Sequence, residues 1–343
     1  MWLPYLDVFP SPEAAALPGR LFIWPGVVGP PVDDGEPIRR DVVVWLPPGV
    51  PTRAEAVAGE TVTGDAPPTL PSVWLHDGQN VFDPQTSFAG HWRGAEALAG
   101  LAARGLPVIG IAIGNARERR IHEYSPFSDP RLGGGGADAF LDHLAKTIRP
   151  GVLAAFPIDP APSAAVVAGS SLGGLLALWG VYRRPDLAHH CAAFSPSVWF
   201  AGDRLANELR GWRAPTRAHI YLDTGAWERG RPESPWQRFL GFHPGSRRFV
   251  RSVRRVHRRL RGSVDHLTLV IDRDGVHNEA SWARRLPSAL DFVVGGAAGP
   301  RRPEARGPHG RLLRSIPHSD HPSSEKDLPS EDLPSEGAGI SMA

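Results

Sequence analysis

The sequence predicts an α/β protein: a mostly parallel sheet of eight strands with helices on both faces. Three observations carry this. Short β-branched or apolar runs alternate with helix-length segments from the third run onward, and such alternation builds right-handed crossovers. The first two runs have only loop between them, residues 25 to 40, so they form an antiparallel pair at one edge. The run Ala164–Ala168 passes through Gly169-Ser170-Ser171-Leu172-Gly173 into a helical stretch, a strand, a tight turn and a helix.

In chain order, strands are expected at Arg20–Trp24, Asp41–Leu46, Ser72–His76, Val108–Ile113, Ala164–Ala168, Ala192–Phe194, His219–Asp223 and Leu267–Ile271. Helices are expected at Arg93–Ala103, Ala137–Arg149, Leu172–Arg183, Ser246–Arg261 and Glu279–Phe292. In Ser246–Arg261 the apolar residues Phe249, Val253, Val256 and Leu260 fall at helical spacing, so its arginines form a basic solvent face. No aromatic residues interleave with them and no nucleic-acid module surrounds them, so no nucleic-acid partner is expected. Residues 49 to 71, rich in Pro, Ala, Gly and Thr, read as a surface loop. From Gly295 the chain turns to Gly, Pro, Arg, Ser and Glu. It repeats Asp-Leu-Pro-Ser-Glu at Asp327–Glu331 and Asp332–Glu336. This divides the chain into a domain over 1–296 and a disordered tail over 297–343. Eight strands with an antiparallel start match the α/β-hydrolase layout.

The bulk properties fit one large domain. The chain has 343 residues, 41% of them hydrophobic, and a formal net charge of +2. That balance does not mark a polyanion binder. The single cysteine, Cys191, excludes an internal disulfide and fits a reducing compartment. The start has no basic region followed by an unbroken apolar core, and no run approaches the ~20 apolar residues that span a bilayer. The expectation is a soluble cytoplasmic protein without a membrane partner.

The turn at Ser171 is where the chemistry is expected. Glycines on either side permit a strained turn that projects the serine toward the start of the next helix, where amides and the helix dipole favour negative charge. A serine hydroxyl needs a general base, and the base needs an orienting acid, in the chain order Ser, acid, His for this fold. His277, just after the last expected strand, is the candidate base. Asp223 and Glu228, at and beyond the end of the preceding strand, are the candidate acids. Glu228 is preferred because a carboxylate further out reaches the histidine loop, and Asp223 is the alternative. The oxyanion donors are expected at the N–H of Leu172 and in the turn after the third strand, at Gly78 or Gln79. No metal-binding spacing of Cys or His appears. His189 and His190, read as helical, would point apart. Gly133–Gly136 reads as a flexible entry to a helix.

Several separated motifs resemble the putative esterase family of α/β hydrolases, the enterochelin esterases and esterase-D-like enzymes. They are Trp74–Asp83, Glu123–Pro126, Ala168–Gly174, Phe194–Trp199 and Gly275–Glu279. The resemblance spans roughly residues 20 to 295. It implies a serine esterase acting on a small-molecule ester, with no metal or organic cofactor, its serine on Ser171 and its histidine on His277. The family acid falls at Glu228, where related enzymes often place Asp, and an extra segment Arg229–Pro235 follows it. Substrates across the family include siderophore lactones, acyl-sugar esters and S-formylglutathione. Acyltransferase activity and siderophore lactone hydrolysis are therefore alternatives. A non-catalytic binding module with a vestigial site is the alternative of another class.

Overall fold

The computed structural model describes residues 1–31, 35–58, 68–88, 90–230 and 244–297. The expected tail from residue 298 onward, and most of the loop over 229–245, lie outside the described residues.

Nine strands form the main sheet: β1 (Leu3–Pro4), β2 (Arg20–Pro31), β3 (Pro37–Leu46), β4 (Ser72–His76), β5 (Ile109–Ile113), β6 (Ala165–Ser170), β7 (His190–Phe194), β8 (His219–Trp227) and β9 (His266–Val276). Their spatial order is β1-β2-β3-β5-β4-β6-β7-β8-β9. The first two expected runs pair antiparallel, Arg20 opposite Leu46, and β3 pairs antiparallel with β5. From β5 to β9 every pairing is parallel. The ninth strand is the addition: Leu3 and Pro4 pair with Ile23 and Phe22 at the edge. Two residues carry too little periodicity to be read as a strand.

Helices α1 (Gly94–Ala103), α2 (Leu172–Arg183), α3 (Arg247–Leu260) and α4 (Glu279–Ala297) cover the two faces. Every residue of β4, β5, β6 and β7 is buried, as sheets covered on both sides require. Alternation along β6 sorts the core. Ala165 and Val167 pack with Leu175, Leu176 and Val256 of α2 and α3. Val166 and Ala168 pack on the other face with Leu98, Leu286 and Leu290 of α1 and α4. On α3, Val253, Val256 and Leu260 are buried, while Arg251, Arg254, Arg255, Arg258 and Arg259 face solvent.

Other differences have local causes. Within 49–71, Arg53–Val57 is helical, closed by a capping box between Thr52 and Glu55. The helix expected at Ala137–Arg149 continues to Ala155 through a π turn at Leu144–Ile148. His190 opens β7 and is buried, so it is a strand residue rather than a helical one. The largest change is that β8 and β9 run past their expected ends. Thr224–Trp227 and Asp272–Val276 are paired strand, Gly225 opposite Asp272 and Trp227 opposite Val276 across a bulge.

Candidate active site

Ser171 stands between the last residue of β6 and the first of α2, with φ 54° and ψ −121°. A non-glycine residue in such a conformation costs about 1–3 kcal/mol and persists only where its surroundings fix it. They do here. The Ser171 N–H donates to the Phe194 carbonyl at 2.9 Å, and the Ser171 carbonyl accepts from Ser197 N at 2.9 Å and Leu175 N at 3.1 Å. Gly169 is required by close approach: a Cβ there would lie 2.5 Å from the Gly173 backbone.

The extended strands deliver the two partners. Since Trp227 lies opposite Val276 in parallel register, the residues that follow, Glu228 and His277, emerge side by side. His277 Nε2 lies 2.9 Å from Ser171 Oγ, and Nδ1 lies 2.5 Å from Glu228 Oε2. Two rings steady the imidazole, Trp282 edge-on at 5.0 Å and Phe249 at 5.8 Å. The other carboxylate oxygen of Glu228 accepts from Ser195 Oγ at 2.7 Å, Thr224 Oγ1 at 3.2 Å and Gly225 N. Burial pushes the Glu228 pKa up, but the hydrogen bonds from His277, Ser195 and Gly225 outweigh it and hold it below the usual carboxylate range. Gly225 must be glycine, because a Cβ would overlap the Gly275 carbonyl of β9.

Asp223, the alternative acid, points into different company. It is fully buried inside β8, and its carboxylate accepts from Arg285 Nε at 2.7 Å and Nη2 at 3.1 Å, from Ser195 N at 2.7 Å and from Tyr221 OH at 3.1 Å. None of its recorded bonds goes to His277. Asp272 accepts from Arg284 and Arg285.

The turns expected to donate to an oxyanion are neighbours of the elbow. Leu172 is the first residue of α2, so its N–H has no intrahelical acceptor. Gly78–Asn80 is a single 3-10 turn after β4. Asp77, just before it, is left-handed at φ 57°, and its carboxylate would lie 3.0 Å from a Cβ on Gly173. Arg120 grips that carboxylate with two bonds of 2.7 Å, and Asn115 adds a third at 2.7 Å. Burial disfavours the Asp77 anion, yet Arg120 and Asn115 prevail and its pKa is lowered. Arg120 is thus held in an ion pair with Asp77. A cavity of about 250 Å³ borders the Gly78–Gln79 turn and is walled by Tyr5, Phe9, Phe82 and Arg117; Ser171 and His277 do not line it. Among the described residues, no group of three or more His, Cys, Asp and Glu side chains could hold a metal, and no helix is long and apolar enough to cross a membrane.

Sequence reasoning overlooked Ser195, Ser197, Trp282 and Arg285. Ser197 Oγ lies 3.2 Å from Ser171 Oγ. Both serines belong to the quoted motif Phe194–Trp199, but nothing in it showed which side chains they meet.

The sheet order, the elbow between β6 and α2, and the helices on both faces make this an α/β-hydrolase fold. The family described as putative esterase matches residues 65–293, well over half of the chain, and the chain belongs to that family. It is 33% identical over 181 residues to the siderophore triacetylfusarinine C esterase of Aspergillus fumigatus, which covers 50% of this chain and 60% of that relative. The chain therefore spans less than two thirds of the length of that curated relative. Among solved structures, siderophore hydrolase EstA from Aspergillus nidulans superposes with a TM-score of 0.56 at 21% identity, over 81% of this chain and 94% of that one. Ferric enterobactin esterase from Salmonella typhimurium gives a TM-score of 0.56 at 18% identity, over 80% and 58%. These two likenesses are of fold.

Proposed function

We propose that this chain is a serine hydrolase that cleaves carboxylic esters through Ser171, His277 and Glu228. The observation that carries the reading is one imidazole within hydrogen-bond reach of both a strained serine and a buried, ionised carboxylate. His277 takes the Ser171 proton as the serine oxygen attacks the ester carbonyl. The N–H groups of Leu172 and of the Gly78–Gln79 turn receive the oxyanion. Glu228 accepts from Nδ1–H, which leaves Nε2 free as the base, and it stabilises the imidazolium. The same proton goes to the departing alcohol, and water, activated by His277, then cleaves the acyl-enzyme.

For substrate class we propose a siderophore ester, because a relative sharing 33% identity is named for one. A cytoplasmic location belongs to the same proposal, consistent with the sole cysteine, Cys191, being a buried thiol. Ser171→Ala is expected to abolish both p-nitrophenyl acetate hydrolysis and labelling by a fluorophosphonate probe. Turnover unchanged in that variant would reject the mechanism. Triacetylfusarinine C incubated with the active chain should yield a product heavier by one water per ester cleaved, or its fragments, by mass spectrometry. Its survival beside rapid p-nitrophenyl acetate turnover would reject the substrate class alone.

A further inference from the structure

We propose that Ser195 is a positioning residue that locks Glu228 in its ionised, histidine-facing orientation; the proposal rests on the serine-hydrolase reading above. Ser195 follows the last residue of β7 at φ 40°, a left-handed conformation unusual for serine. Its hydroxyl has three recorded partners. Trp282 Nε1 is 3.1 Å away, Arg285 Nη2 is 3.2 Å away, and Glu228 Oε1 is 2.7 Å away. An indole N–H and a guanidinium can only donate, and an ionised carboxylate can only accept. A hydroxyl has one proton and two lone pairs. Both lone pairs are therefore filled by Trp282 and Arg285, and the single proton must go to Glu228. The direction of the bond is set by its neighbours.

The donors are themselves held. Arg285 is paired with Asp223 on one side and Asp272 on the other, and Asp223 also takes the Ser195 N–H. The carboxylate passed over as triad acid thus fixes the arginine and the serine that fix the acid. A glutamate needs this more than an aspartate would, because its extra methylene adds a torsion through which the carboxylate could swing away from the imidazole. Two positions further on, Ser197 Oγ lies 3.2 Å from Ser171 Oγ. The segment Ser195-Pro196-Ser197 thereby touches the acid at one end and the nucleophile at the other, and Pro196 between them restricts its backbone.

The test is a double-mutant cycle with p-nitrophenyl acetate. Ser195→Ala, once shown to unfold cooperatively, is expected to lower kcat about 10- to 100-fold with KM within about twofold, the loss of a hydrogen bond to a charged group. In a Glu228→Gln background the same substitution should change kcat by less than about threefold, because its effect passes through Glu228. Equal losses in the two backgrounds would indicate a merely structural role and overturn the proposal, as would no loss in the parent. Should Ser195→Ala fail to fold, Trp282→Phe replaces it in the cycle, keeping a ring beside His277 while removing one donor to Ser195. Ser171→Ala serves as the control. If it remains active, the hydrolase reading fails. If it is inactive while Ser195→Ala turns over at the parent rate, only the present proposal fails.

Discussion

Glu228 and Asp223 are both buried carboxylates on one strand and its exit, yet their surroundings demand different things of them. Asp223 neutralises a buried guanidinium, while Glu228 faces an imidazole that reaches the elbow serine. Substitution should separate the two. Glu228→Gln is expected to cut kcat by about 10³- to 10⁴-fold, as loss of the tautomer-fixing acid does. Asp223→Asn removes a charge partner from Arg285 in the interior and is expected to cost about 3 kcal/mol of stability. Measuring kcat and urea unfolding for both variants decides the matter. A larger fall in kcat for folded Asp223→Asn than for Glu228→Gln would reverse the roles. The preference for Glu228 was legible in the sequence as an argument from reach. The Arg285 partner was not, because it lies 62 residues away on α4.

At the scale of elements, the decisive feature is the length of β8 and β9. Sequence periodicity ends them near Asp223 and Ile271, and the following residues look like loops. Parallel pairing with each other carries both strands on to Trp227 and Val276, which supplies backbone hydrogen bonds that an isolated segment could not satisfy. The crossing relies on Gly225 lying against Gly275. Gly225→Ala is expected to push the two strand ends apart, reducing turnover at least about tenfold and stability by about 1–3 kcal/mol. Parent-level kcat in that variant would show that the close approach does not set the distance between Glu228 and His277. The helices were easier to read. The apolar stripe of α3 is strongly periodic and burial follows it, while the run after Ser171 is apolar on every side and is buried from Leu172 to Val181.

For the molecule as a whole, buried histidines tie stability to pH. Burial lowers His76, His143 and His190 from the ordinary value of 6.5 to about 4 each. His76 Nδ1 and His143 Nε2 have no hydrogen-bond partner among the described residues, so protonation there would bury an unpaired charge. Between pH 6.5 and 4 the unfolded chain binds protons that the folded chain refuses, so stability falls as the pH falls through that window. His76 alone should contribute about 3 kcal/mol of this loss. Urea midpoints recorded from pH 7 to pH 4.5 test it, and a flat profile would overturn it.

The sequence by itself determined the class of fold, the positions of the central strands, and the serine turn. Those features are local: they depend on periodicity, on β-branched runs, and on glycines that a tight turn cannot do without. Tertiary structure decided which carboxylate meets His277, where β8 and β9 end, and what surrounds Ser195. Each of these depends on side chains distant in sequence, brought together by strand pairing and by the packing of α4 against the sheet. Local pattern carries no record of such contacts, because register and burial arise only when the elements assemble.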